Sequence, residues 1–224
     1  MSTADLAGRW LFRVGGTCAS TIAVLYMVTI ALFAFAGSLP NGAEASLKYL
    51  ADRTALWSAI AGLSVLTDVL YVPVALSLYS ALKQINRTAM LVSAAFMFLF
   101  VALDLAVTWT NYASLIVLSG QYAAATSDAQ RAGYVAAASY ATSVLSSRLE
   151  TVYAIVDLSF AILVVGVVML RGVFNKPTAY AGIATGLMGI LTLSGLLVTV
   201  ILNAILAIVW LFFVGYRLYR LDRR

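Results

Sequence analysis

The sequence contains no histidine and a single cysteine, Cys18. Without histidine there is no His-ligated haem, no His-containing zinc site and no Ser-His or Cys-His catalytic arrangement. One cysteine excludes an intramolecular disulfide; lying in a hydrophobic run, Cys18 reads as a small apolar filler. Charged residues are scarce, 10% of 224, where a soluble domain carries about 25%. No Walker A loop, GxSxG, HExxH or EF-hand loop is present. No catalytic residue, cofactor or metal-ligand set is assigned on these grounds. Nor is there an internal repeat, a low-complexity segment or a stretch long enough for a separate soluble domain, so residues 1–224 form one domain.

What is present is hydrophobic: 63% of the residues, with a mean hydropathy of +0.98. One soluble core cannot hide this excess, so the bilayer is the solvent for much of it. Apolar stretches run over about 14–38, 55–82, 88–114 and 149–170, followed by 177–216 without a charge. The last would extend about 60 Å as one helix, twice the hydrocarbon thickness. It should fold back near Ser194-Gly195 into spans 177–195 and 197–216. The expected fold is an all-α polytopic transmembrane bundle of six spans. Arg9 and Arg13 ahead of ALFAFAGS resemble a signal peptide, but the length of the run reads as a retained first span.

Basic residues set the orientation and explain the formal charge of +5 without nucleic acid. With the N-terminus cytoplasmic, the inner segments hold Arg9, Arg13, Lys83, Arg87, Arg171, Lys176, Arg217, Arg220, Arg223 and Arg224. The outer segments hold Lys48, Arg53, Arg131 and Arg148. This bias agrees with the positive-inside rule and makes both termini cytoplasmic. The ending YRLYRLDRR reads as a topology anchor, with attraction to anionic lipid as the alternative. Two outer segments should be amphipathic helices. Residues 41–53 have Asn41 as a cap, and 128–146, in the third loop, open on the capping-box pattern SDAQ and break near Ser146-Ser147. Trp57, Trp109 and Tyr112 read as outer interfacial anchors, Trp10 and Tyr216 as inner ones.

Polar residues inside the spans are the functional candidates. Asp68 precedes Lys83 by fifteen residues and Asp157 precedes Arg171 by fourteen. Asp104 follows Arg87 by seventeen, and Asn203 precedes Arg217 by fourteen. All four then lie about 21–26 Å from the inner anchor line. Helical spacing adds Ser64 and Tyr71 to the stripe of Asp68, and Thr108 and Asn111 to that of Asp104. It puts Glu150 and Tyr153 on the stripe of Asp157. Arg148 stands at the outer mouth, able to pair with Glu150 or another acid. Pro73 kinks its helix and frees the carbonyl of Val69, a candidate cation ligand beside Asp68. GIATG at 182–186 should let the fifth span pack closely, inside the bundle rather than between subunits.

Three stretches, LTDVLYVPVALSLYSALKQINRTAMLVSAAF (66–96), RGVFNKPTAYAGIATGLMG (171–189) and AIVWLFFVGYRL (207–218), resemble a family of small prokaryotic integral membrane proteins known as a domain of unknown function. The resemblance implies a six-helix fold in a bacterial or archaeal plasma membrane, with an acidic residue in the second span, and it implies no reaction. Two functions compete. One is a small-cation or proton pathway built on the carboxylates. The other is an accessory role, with the outer amphipathic segments docking other membrane subunits or a second copy. A ligand or lipid sensor is a further alternative, and an acid-only intramembrane enzyme a weaker one. In the structural alternative, protonated acids only hold neighbouring helices together.

Overall fold

The computed structural model describes residues 3–222, with side chains from Trp10 to Leu221. The side chains of Arg9, Arg223 and Arg224, counted above among the inner basic residues, fall outside that range. Every element among the described residues is helical, as expected where the bilayer forbids unpaired backbone.

Helix α1 (Thr3–Ala36) ends at Gly37, whose φ of 77° is left-handed and whose N–H bonds the Phe33 carbonyl at 2.8 Å. A side chain there would be strained. The short α2 (Ala43–Ala51) is capped by Gly42 with no side-chain bond, so the expected Asn41 cap is not formed. α3 (Thr54–Leu82) runs through Pro73 without interruption. α4 (Arg87–Ala124) starts at Asn86, whose side chain accepts from the Ala89 N–H at 3.0 Å. The SDAQ pattern does start α5 (Asp128–Leu145): Ser127 Oγ accepts from Gln130 N–H at 3.3 Å. Gln130 Oε1 in turn accepts from Thr126 N–H at 3.0 Å, one residue earlier than the usual box. The break at Ser146-Ser147 is present, with Ser147 capping α6 (Arg148–Met169). α7 (Lys176–Leu191) ends in a 3-10 turn, Thr192–Ser194. Gly195, at φ 76°, then reverses the chain into α8 (Leu197–Asp222).

Five stretches are long and apolar enough to cross a membrane: Trp10–Ala36, α3, α4, α6 and Leu197–Leu221. α7, at 16 residues, extends about 24 Å. Outward faces carry large exposed apolar side chains, among them Val24, Leu66, Leu91, Val167, Ile201 and Phe213. Such a surface suits lipid and would aggregate in water.

The six long helices close a ring in the order α1, α3, α4, α6, α7, α8 and back to α1. A close seam joins α6 to α7 through the GIATG motif. A Cβ on Gly186 would lie 2.5 Å from Leu163 Cβ and 2.7 Å from the Ser159 carbonyl oxygen; one on Gly182 would lie 2.7 Å from Trp210 Nε1. The motif therefore packs within the chain.

One end of the ring is capped. α4 continues past the expected limit of 114 to Ala124, and α2 and α5 pack against its extension. Leu47, Leu50, Leu115, Tyr122, Ala138 and Ala141 bury together there, with Trp57 and Ile60 of α3 beneath them. The apolar faces of both amphipathic helices are thus spent on each other and on α4. Trp57 is not an interfacial anchor: it is buried, stacked on Tyr112 with ring centroids 5.5 Å apart, and Tyr112 stacks on Trp109 at 5.4 Å. Trp10 and Tyr216 are exposed, as their anchor reading requires.

Candidate functional site

All six ring helices contribute to a cavity of about 370 Å³ in the half of the bundle nearest the cap. Asp68 from α3 and Asp104 from α4 both line it, 3% and 4% exposed. Their carboxyl groups adjoin, close enough for one proton to bridge them. The Trp109 indole N–H donates to Asp104 Oδ2 at 3.1 Å and stands close to Asp68 as well. One oxygen of each carboxyl, Asp68 Oδ2 and Asp104 Oδ1, is buried without a donor.

The same holds for one hydroxyl on this wall, that of Thr29, while the Thr108 hydroxyl stands within hydrogen-bond reach of Asp104. Most serines and threonines in the chain donate to a carbonyl on their own helix, as Thr67 does to Ser64 at 2.7 Å and Thr185 to Ala181 at 2.8 Å. That habit makes a buried hydroxyl without a partner conspicuous, because buried polar groups are nearly always satisfied. Three such oxygens therefore face one cavity.

Aromatic rings bound the carboxyl pair on two sides. Toward the end away from the cap, Tyr71 packs on Tyr26 at 6.3 Å and edge-on to Phe100 at 5.7 Å. Toward the cap stand Trp109, Tyr112 and Phe33, all on the wall, with Trp57 behind them. Asn203 reaches the cavity from α8, and its Nδ2 donates to the Thr185 carbonyl at 2.9 Å and to Ser159 Oγ at 3.4 Å. It ties α8 to α7 and α6 at cavity depth.

Compared with known proteins, the chain matches no family model, no curated protein and no solved structure. The site is therefore argued from its own geometry.

Two π-helical turns decide which side chains reach this cavity. Residues Asp104–Trp109 of α4 form one, and Val152–Val156 of α6 the other. A π turn holds one extra residue, which rotates everything beyond it by about 100°. On α4 the wall accordingly runs Asp104, Thr108, Trp109, Tyr112. Asn111 is turned away and donates to the Val107 carbonyl of its own helix at 2.7 Å. On α6 the wall runs Glu150, Ala154, Ile155, Leu158. Asp157, though buried, is off the wall and makes no hydrogen bond or ion pair, and Tyr153 is also off it. Of the three expected aspartates the structure thus brings two together, and Glu150 takes the third place. Ideal α-helical spacing cannot reveal this; the only hint available is that both predicted stripes cross a polar intramembrane residue, where π turns tend to occur.

Three further expectations are corrected. Tyr71 lies under the cavity rather than on its wall, with its hydroxyl beside that of Tyr26. Arg148 is exposed and does not pair with Glu150. Val69 points outward, 48% exposed, and neither it nor Pro73 lines the cavity. Adjacent residues on a helix diverge by about 100°, so the carbonyl freed by Pro73 is not a neighbour of the Asp68 carboxyl site. Pro73's own carbonyl accepts from Ser77 Oγ at 2.7 Å.

Proposed function

We propose that the chain is a six-span membrane protein that binds and moves a cation or proton through the Asp68–Asp104 pair. The observation that carries this reading is the two adjoining buried carboxyls, each with an oxygen that receives no hydrogen bond, in a cavity lined by every ring helix. Like charges in contact inside an apolar wall repel strongly, and one proton or one cation between them removes that repulsion.

The proposed topology places the cap outside and both termini in the cytoplasm of a prokaryotic cell, with the inner membrane as the compartment. Its support is charge. The end away from the cap carries Arg13, Lys83, Arg87, Arg171, Lys176, Arg217 and Arg220, while at the cap Lys48, Arg53, Arg131 and Arg148 are matched by Glu44, Asp52, Asp128 and Glu150. The six-span count, with α7 as the short fifth span, keeps the likeness to the small prokaryotic membrane family as the family reading. The accessory alternative loses ground because the outer amphipathic helices bury their apolar faces on α4.

The test is flux. In proteoliposomes with an interior pH dye, an imposed cation or proton gradient should drive a signal in the wild type that Asp68→Asn abolishes. Equal flux in both would overturn the reading.

A further inference from the structure

We infer that the cation taken by this cavity is an organic ammonium ion with an apolar body, held between the carboxyl pair and the aromatic rings. The inference rests on reading Asp68 and Asp104 as the cation site, and it names the class of cargo.

Size argues first. A cavity of about 370 Å³ falls in the range of small-molecule sites, roughly 300–1,000 Å³, and is far larger than a bare metal ion needs. Ligand number argues next. Divalent ions want about six or more oxygens in a closed shell, and among the described residues no three acidic or cysteine side chains converge as a metal site. The wall offers the adjoining carboxyls of Asp68 and Asp104, that of Glu150 further toward the cap and one unpartnered hydroxyl, Thr29, and much of the remainder is carbon: Ile30, Ile155, Leu158, Ile162, Val200, Ala207. Such a surface does not replace the hydration of an inorganic cation, but it suits the body of an amine.

The rings supply what an ammonium group prefers after a carboxylate. A cation over an aromatic face is attracted by the ring quadrupole, most strongly when desolvated and most strongly by tryptophan. Tyr26 and Phe100 line one side of the carboxyl pair and Trp109, Tyr112 and Phe33 the other, so a cation at the pair has ring surface toward both. The Thr29 hydroxyl then remains to accept an N–H group from a primary or secondary amine. Glu150, at the cap end of the wall, adds a third carboxyl to the cavity.

The experiment compares choline with its uncharged isostere 3,3-dimethylbutan-1-ol, and adds benzyltrimethylammonium and sodium chloride, by calorimetry on the full chain in nanodiscs. Benzyltrimethylammonium should bind, choline more weakly, and the alcohol and sodium at least tenfold more weakly than choline. Asp104→Asn should weaken benzyltrimethylammonium tenfold or more, and Trp109→Ala severalfold, with Trp109→Phe partly restoring it through the retained ring. The wild-type comparison of choline with the alcohol needs no variant, so a misfolded mutant leaves the test intact. Equal binding of choline and the alcohol, or heats from sodium alone, would overturn the inference. Sodium-driven flux that Asp68→Asn abolishes, without ammonium binding, would sink this inference and leave the cation pathway standing. Ammonium binding without any flux would do the reverse.

Discussion

Trp109 donates its indole N–H to the carboxylate of Asp104, five residues earlier on the same helix, at 3.1 Å. In an ideal α-helix residues five apart point in different directions; the π turn over Asp104–Trp109 brings them to one face. Thr110 Oγ1 shows the same spacing, bonding the Leu105 carbonyl at 2.9 Å. The turn therefore assembles the wall, because it delivers a carboxylate, its donor and the first ring of the aromatic stack together.

Replacing Trp109 by phenylalanine keeps a ring against Tyr112 and removes the donor. The bond to Asp104 then disappears and leaves a third unsatisfied carboxyl oxygen. The expected loss is about 1–2 kcal/mol of stability, at the upper range for hydrogen bonds inside membranes, read by denaturant unfolding in detergent. An unchanged midpoint would mean the bond does not form.

The register set by the π turns makes a sharper forecast at the polar residues themselves. Asp157→Asn and Asn111→Ala should leave cation binding within about twofold, since neither side chain reaches the wall. Glu150→Gln should weaken it, because that carboxyl does. Loss of binding in Asp157→Asn with full binding in Glu150→Gln would restore the α-helical register and refute the π-turn account.

Much of this fold was legible in the sequence for reasons that are local. Apolar runs mark helices whatever they pack against, SDAQ and the Ser146-Ser147 break carry their own capping chemistry, and Gly195 reverses the chain where forty apolar residues must turn. Counting residues to basic anchors put Asp68, Asp104 and Asn203 at one level, and all three line the one cavity. What the sequence hid was rotation about the helix axis. A π turn changes no composition and no hydropathy, yet it exchanged Asp157 for Glu150 and Asn111 for Trp109 and Tyr112. The cap was hidden too, since only tertiary contact shows that Trp57 stacks inward instead of standing at the lipid interface.

The close seam between α6 and α7 predicts opposite outcomes for two glycine substitutions. Gly186→Ala forces a methyl to within 2.5 Å of Leu163 Cβ and 2.7 Å of the Ser159 carbonyl oxygen. Overpacking of this kind costs about 1–3 kcal/mol. Gly62→Ala, mid-helix on α3 with nothing within 4 Å, should instead stabilise by about 0.5–1 kcal/mol through lost backbone entropy. Thermal unfolding of both variants side by side checks the pair, and a Gly186→Ala protein as stable as the wild type would dismiss the seam.

The cap carries a pH dependence of its own. Lys48 Nζ lies 2.7 Å from Glu44 Oε1, and the Tyr122 hydroxyl donates to the same oxygen at 2.9 Å. These partners, Lys48 first, hold the Glu44 carboxyl below its ordinary value of 4.5. A lowered native value means the contribution is complete above pH 4.5 and fades as pH falls through the native value. Amide exchange in α2, corrected for intrinsic rate, should quicken below that pH in the wild type and show no such step in Glu44→Gln. Both groups are exposed, so the change is confined to α2 and leaves global unfolding nearly unmoved.

Orientation yields the last prediction. In a Cys18→Ala background, single cysteines at Gly133 on α5 and Gln84 between α3 and α4 test opposite ends of the ring, since both positions are exposed. A membrane-impermeant maleimide added to intact cells should label Gly133→Cys at once and Gln84→Cys only after permeabilisation, because basic segments resist translocation. A cysteine appended after Arg224 distinguishes six spans from five. An even number of crossings returns the chain to the side of Gln84, so the appended cysteine should be protected with it. Labelling of that cysteine from outside, with Gln84 still protected, would mean α7 does not cross.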